Sequence, residues 1–248
     1  MGSKLTETIL RPMMLLNDAK TIAIVPARAG SKGMPKKNFS LFAGKPLYMH
    51  AISQALRVCD LCIFSSDNPL ALEAVANIER VLIHKRKKIL CTDTSPIEKT
   101  LVNVICDFEI TNKCMVLLQP TSPLRRDSQI LEAIALFEKE RYELVMGVTE
   151  VDNSVLKSGL VTGTGFTPVS TPQNCFSNRQ SLPKVFKPNG SVFVFCASWL
   201  NENGGLASNK IGCIQMTNDC DIDIDDRNDF ERASALFADR LKNQLDTK

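Results

Sequence analysis

Two stretches near opposite ends of the chain carry residue types suited to a charged, phosphorylated ligand. The first is Ala27-Arg28-Ala29-Gly30-Ser31-Lys32-Gly33-Met34-Pro35-Lys36-Lys37-Asn38, which sets two glycines among one arginine and three lysines. Glycine lets the backbone turn tightly, and the cations offer charge-assisted hydrogen bonds to a polyphosphate. The stretch follows the apolar run Ile22-Ala23-Ile24-Val25, and the exit of a first strand is where open α/β sheets hold ligands. Its glycine spacing matches neither the Walker A loop nor the dinucleotide fingerprint, so a solvent-facing basic loop is the alternative. The second stretch is Asp221-Ile222-Asp223-Ile224-Asp225. In an extended chain its aspartates share one face and its isoleucines the other. Crowded carboxylates need water, protons or a cation, and oxygen ligands of this kind suit magnesium. The other reading is an exposed edge strand leading into a helix whose first turn favours the acids Asp226 and Asp229.

These residues need a frame, and the hydrophobic pattern supplies one. Short apolar runs at Ile22–Val25, Leu61–Phe64, Val81–Ile83, Met115–Leu118, Leu144–Val151 and Ser191–Phe195 read as strands. Between them, Pro46–Val58, Pro69–Asn77, Pro96–Asp107 and Ser128–Arg141 read as helices, the last opened by a serine cap. Arg227–Asn243 reads as a closing helix. Strands alternating with helices predict an α/β fold, a mainly parallel sheet flanked by helices. From Asp152 to Pro188 the pattern breaks into glycines, prolines and polar residues, an excursion that reads as an arm or hairpin packing on a partner. Residues 1–20 form an N-terminal extension, and 21–248 a single domain that includes the excursion.

Bulk composition narrows the function classes. At 248 residues, 44% hydrophobic and 23% charged, the chain has the make-up of an ordinary soluble domain. A net charge of +3, two tyrosines and one tryptophan give no aromatic-interleaved basic stripe for nucleic acid. Met13-Met14-Leu15-Leu16 is too short an apolar patch for a signal peptide or a bilayer span. Nine irregularly spaced cysteines, with Cys59-Asp60-Leu61-Cys62 the one close pair, read as reduced thiols of a cytoplasmic protein rather than a zinc or disulfide framework. His50 and His84 read as structural.

The basic loop resembles the nucleotide-binding signature of the acylneuraminate cytidylyltransferases, the CMP-sialic acid synthetases. Ser65-Ser66-Asp67, Leu117-Leu118-Gln119-Pro120-Thr121-Ser122-Pro123-Leu124-Arg125, Arg179-Gln180-Ser181-Leu182-Pro183 with Pro188-Asn189-Gly190, and Ile222-Asp223-Ile224-Asp225 resemble the same family in the same order. The resemblance implies a Rossmann-like nucleotidyltransferase fold, a homodimer built on the 152–188 excursion, and a Mg2+-dependent transfer of CMP from CTP to an acidic nine-carbon sugar. Arg28 and Lys37 would hold the CTP phosphates with Lys32 nearby, Asn38 would fix the nucleoside, and Arg86 would lie near the cytidine. Gln119, Lys157 and Arg179 would contact the sugar, the last two from the other subunit. Asp223 and Asp225 would hold the metal. Phe193 would line the sugar pocket, where the family often has tyrosine, and Lys187 stands where an arginine is frequent.

The implied reaction is in-line attack by the sugar's anomeric hydroxyl on the α-phosphorus of CTP, with pyrophosphate leaving. Arg28, Lys37 and Asp225 are its expected catalytic groups, acting by positioning and charge neutralisation. No general base stands out in the sequence. Two alternatives remain at this point: transfer to another ulosonic acid (legionaminic, pseudaminic or 3-deoxy-manno-octulosonic), and a non-catalytic nucleotide-binding module on the same fold. Intact Arg28, Lys37, Asp223 and Asp225 speak against the second.

Overall fold

A computed structural model describes residues 12–30, 33–217 and 220–245. Helical residues 12–18 (α1) lead into the first strand, β1 (Thr21–Ala27). A hairpin of β2 (Leu41–Phe42) and β3 (Lys45–Pro46) precedes α2 (Leu47–Val58). Then come β4 (Leu61–Ser66), α3 (Pro69–Val75), β5 (Val81–Lys85), α4 (Ile97–Asp107), β6 (Cys114–Leu117) and α5 (Asp127–Lys139). The chain continues through β7 (Leu144–Val151), the small hairpin β8 (Gly159–Thr162) and β9 (Gly165–Pro168), and the long β10 (Val185–Cys196). It closes with α6 (Ala197–Asn203), β11 (Ile211–Gln215) and α7 (Arg227–Leu245).

Seven strands form one sheet in the order β11-β7-β10-β6-β1-β4-β5. Parallel pairs join β1 to β4 and β6, β4 to β5, and β7 to β11, as the alternating pattern requires. β10 alone runs antiparallel, between β6 and β7, and its pairing with β7 shifts register between Pro188 and Phe193. Side chains of successive strand residues enter opposite layers. Ala23 and Val25 join a core with α2, α3 and α5, while Ile22 and Ile24 join a second core with α4 and α6. With both faces covered, Ile22, Ile24, Leu61 and Ile63 are fully buried, and each contributes about 1.5–3 kcal/mol to the hydrophobic term.

Local chemistry explains the element ends. Pro69 occupies the first turn of α3, and Asn68 Oδ1 accepts from the backbone N–H groups of Leu70 (3.0 Å) and Ala71 (3.4 Å). The β2–β3 turn places Ala43 and Gly44 at φ values of 46° and 82°, the doubly left-handed geometry that tight hairpins prefer. Helix α5 starts one residue before the expected serine cap: Asp127 opens it, and the Gln129 side chain accepts from the Arg126 N–H at 2.8 Å. The β2–β3 hairpin, α6 and β11 go beyond the sequence expectation. Residues 221–225 are extended without joining a sheet ladder. Ile222 and Ile224 nonetheless alternate inward, into a third core with Phe42, Leu47 and Leu124.

Candidate active site

Two loops nearly two hundred residues apart in sequence meet beside the carboxyl end of β1. Lys37 sits in a short 3-10 turn entered through Lys36, whose φ of 57° reverses the chain. The Lys37 side chain is only 10% exposed, and its Nζ lies 3.0 Å from Oδ1 of Asp225, which is 81% exposed. Gly33 packs so tightly on the Asp225 carbonyl that a β-carbon there would collide with it. The glycine is therefore required by the contact rather than by its own backbone conformation.

The rest of this half is held from β4 and the loop after β5. Asp67 Oδ1 accepts the Ala29 N–H at 2.7 Å, and Ser66 Oγ donates to the Ala27 carbonyl at 2.6 Å. Asn38 Nδ2 donates to the Arg28 carbonyl at 3.1 Å, while its buried Oδ1 has no partner among the described residues. Arg28 reaches away from the strand, its Nη2 2.7 Å from Asp93 and its Nη1 3.3 Å from the Cys91 carbonyl. Arg86 is buried against Ser65, and that burial pushes its guanidinium below the ordinary arginine value, with Arg28 adding repulsion.

The other half lies at the end of β6. Gln119 Nε2 donates to the Gly190 carbonyl at 3.2 Å. Gly190 needs its positive φ of 75°, and a β-carbon there would sit 3.4 Å from both Asp223 Oδ2 and Gln119 Nε2. Asp223 therefore faces the same small space as Gln119. Burial pushes its carboxyl above the usual carboxylate range, and the Asp225 charge adds to this, while a hydrogen bond with Thr121 opposes it. Its Oδ1 is buried with no hydrogen-bond partner among the described residues. An orphaned carboxylate oxygen beside an exposed carboxylate suits a hard cation that takes few protein ligands and completes its shell with water and phosphate. Among the described residues no cluster of three or more His, Cys, Asp or Glu side chains offers a closed metal cage.

Of the residues singled out in the sequence, the structure gathers Arg28, Lys37, Asn38, Arg86, Gln119, Asp223 and Asp225 along this edge. Lys32 lies outside the described residues. Lys157 and Arg179 sit on the excursion, where Arg179 Nη2 is 2.7 Å from Asp152 Oδ2 and the Arg179 carbonyl accepts from Asn153 Nδ2 at 3.1 Å. Phe193 points to the α4/α6 layer with Phe195 and packs, half-buried, against that core. Asp93 and Arg125 were not given roles from the sequence. Asp93 lies in an unpatterned loop and carries no signal, whereas Arg125 ends the very motif that contains Gln119. A cavity of about 1020 Å3 opens between α2, α5 and α7, but Arg28, Lys37 and Asp225 do not line it.

Comparisons with known proteins bear on the family and the fold. The chain is 30% identical to an N-acylneuraminate cytidylyltransferase of Streptococcus agalactiae over 85% of its length, and spans 52% of that relative. It is 29% identical to the CMP-N,N'-diacetyllegionaminic acid synthase of Legionella pneumophila, covering 83% of this chain and 93% of that one. The chain thus spans about half the length of the streptococcal relatives and nearly all of the Legionella one. A solved CMP:2-keto-3-deoxy-manno-octonic acid synthetase in complex with CTP superposes with a TM-score of 0.66 at 17% identity, covering 89% of this chain and 99% of that one. That likeness establishes the Rossmann-like nucleotidyltransferase fold expected from the sequence. The model of the cytidylyltransferase family matches residues 22–164, well over half of the chain, and the protein belongs to that family.

Proposed function

We propose that this chain transfers CMP from CTP to the anomeric hydroxyl of a nonulosonic acid of the sialic-acid type, forming the CMP-sugar and releasing pyrophosphate. The observation that carries this reading is the convergence of the basic loop, through Lys37, on Asp225 of the aspartate run, whose Asp223 faces Gln119 and Gly190. A triphosphate bound to Arg28 and Lys37 would then present its α-phosphorus toward the Gln119 side. The sugar hydroxyl oxygen forms the new bond to phosphorus, the bond to the β-phosphate oxygen breaks, and the hydroxyl proton passes to solvent. Arg28 and Lys37 offset charge on the phosphoryl oxygens from fixed positions, so little reorganisation accompanies the reaction. Arg86 and Asn38 flank the space left for the nucleoside. Asp223 and Asp225 would hold magnesium, which supplies further neutralisation of the triphosphate when bound.

The acceptor side draws on the excursion. Leu160, Val161, Phe166 and Phe176 are exposed on it, Phe176 to 90%, an apolar surface suited to a second copy of the chain. In a homodimer this arm would bring Lys157 and Arg179 toward the partner's Gln119. All nine cysteines are free thiols and no described helix is long and apolar enough to cross a membrane, in keeping with our assignment to the cytoplasm. A second acceptor, a legionaminic-type acid, is favoured by the near-complete span of the Legionella relative. Incubation with CTP, magnesium and a panel of ulosonic acids, read by product mass, tests both. A CMP adduct of a nonulosonic acid is expected. Absence of any CMP-sugar, or equal turnover of ATP, GTP and UTP, rejects the reading.

A further inference from the structure

Arg125 is only 2% exposed, and its Nε and Nη2 find no acceptor among the described residues. A buried guanidinium is costly unless its hydrogen bonds do something that an apolar side chain cannot. Its Nη1 bridges two carbonyls, donating to Gln119 O at 2.7 Å and to Ser191 O at 2.9 Å. The Gln119 side chain donates in turn to Gly190 O at 3.2 Å. Both ends of the turn from Gln119 to Arg125 are thus tied to successive carbonyls of the register break in β10. The middle of that turn accepts the Ile224 N–H at Thr121 O, 2.8 Å away, which holds the aspartate run. The turn itself is seated on α2 by Gln54 Nε2, which donates to the Arg125 carbonyl at 2.7 Å.

The far side of the break is equally fixed. Asn189 Oδ1 accepts from both the N–H and the hydroxyl of Ser191, at 3.2 and 2.6 Å. Gly147 leaves room for this arrangement, since a β-carbon there would crowd Asn189 Oδ1 and Ser191 Oγ. What remains adjustable is the distance between the Gln119 turn and the Gly190 turn. Besides the Gln119 amide itself, Arg125 Nη1 is what ties them.

We propose that Arg125 is a positioning residue for the acceptor sugar: it clamps the Gln119 turn to the Ser191 carbonyl, and so holds the Gln119 amide, Gly190 and Asp223 at the spacing the sugar needs. This rests on the function proposed above, in that Gln119 is taken to face the sugar. Arg125 touches neither substrate. The guanidinium matters because the two N–H bonds of Nη1 are fixed in its plane toward the two carbonyls, whereas a lysine keeps the charge on a freely rotating ammonium.

The test compares Arg125→Lys and Arg125→Gln with the unaltered chain. For a folded variant, KM for the acceptor should rise roughly tenfold or more, as expected when a binding group is displaced. KM for CTP should stay within about twofold, because the Arg28 and Lys37 half is untouched. A readout independent of the substrate is the Gln119 side-chain amide in the ligand-free protein, followed by 15N NMR, whose signals should shift or broaden in the lysine variant. Absence of any CMP-sugar from the unaltered chain would reject the function and leave the amide signal to judge the clamp. An unmoved amide signal, an unchanged acceptor KM, or equal rises in both KM values overturns the clamp. Failure of both variants to fold overturns it too, by assigning Arg125 to stability alone.

Discussion

Replacing Asp225 by asparagine separates stability from catalysis. The residue meets Lys37 Nζ at 3.0 Å, but its own side chain is 81% exposed. An ion pair so open to solvent contributes about 1 kcal/mol at most to folding. For a chain of this size that corresponds to a loss of about 2–4 °C in Tm. The backbone N–H of Asp225 bonds to Asp229 Oδ2 at 3.0 Å, and asparagine keeps that bond. Asparagine also retains one side-chain oxygen for Lys37, so the Gly33 contact need not move. Catalysis has more to lose. On the proposed function, a carboxylate that draws a cation onto the triphosphate would support a charge-stabilising effect of several kcal/mol. At about 1.4 kcal/mol per tenfold, turnover should fall roughly a hundredfold or more. Asp223→Asn should behave alike, whereas Asp221→Asn should be milder. Turnover measured against magnesium concentration, beside thermal unfolding of each variant, makes the comparison. Near-normal turnover by folded Asp225→Asn at limiting magnesium would refute the reasoning and return the acidic run to a helix-capping role.

Gly33→Ala should leave the fold intact but push the basic loop off the Asp225 carbonyl, lowering kcat/KM roughly tenfold or more; wild-type kinetics would show that the loop is free to shift. Asp93→Asn should release Arg28 from its 2.7 Å ion pair and tighten CTP binding about two- to fivefold, as measured by calorimetry; weaker binding would mean that Asp93 orients Arg28 rather than competing for it. Burial, the larger influence, pushes His84 below its ordinary value of 6.5, with Arg86 and Lys87 adding to this and Asp107 opposing it. The folded state then binds fewer protons than the unfolded one, so stability should fall as pH drops from about 6.5 toward the folded value. His84→Gln should flatten that part of a Tm-against-pH curve, and an unchanged slope would assign the acid sensitivity elsewhere.

Much of the frame was legible because burial on both faces demands unbroken apolar runs, as at Ile22–Val25 and Leu61–Phe64. Helix α2 was legible from its proline start and amphipathic spacing. The direction of β10 was not, since Val192 to Phe195 would read the same parallel or antiparallel. β11 escaped notice because Gly212 and Cys213 interrupt a run of only five residues, and α6 because Ala197–Asn203 is under two turns long. Within the site, the residues of the basic loop and the aspartate run stood out by type and spacing, although the same patterns also fit a solvent-facing loop and a helix-capping acidic run. Their meeting through Lys37 and Gly33 is a tertiary fact that no local pattern encodes. Asp93 was hidden for the same reason: it acts where the loop after β5 folds back over the end of β1.

The antiparallel strand also divides the molecule by how readily its hydrogen bonds open. Phe193, Val194 and Phe195 are bonded into ladders on both sides, to β6 and β7 together. Val185 to Pro188 have β7 alone, and β8 and β9 pair only with each other. Amide protons at the centre of β10 should therefore exchange with solvent only when the whole domain unfolds, while those of the small hairpin exchange through local openings. On the proposed function, a triphosphate would meet a frame that opens only with the whole domain, and the sugar an arm that can breathe without loosening it.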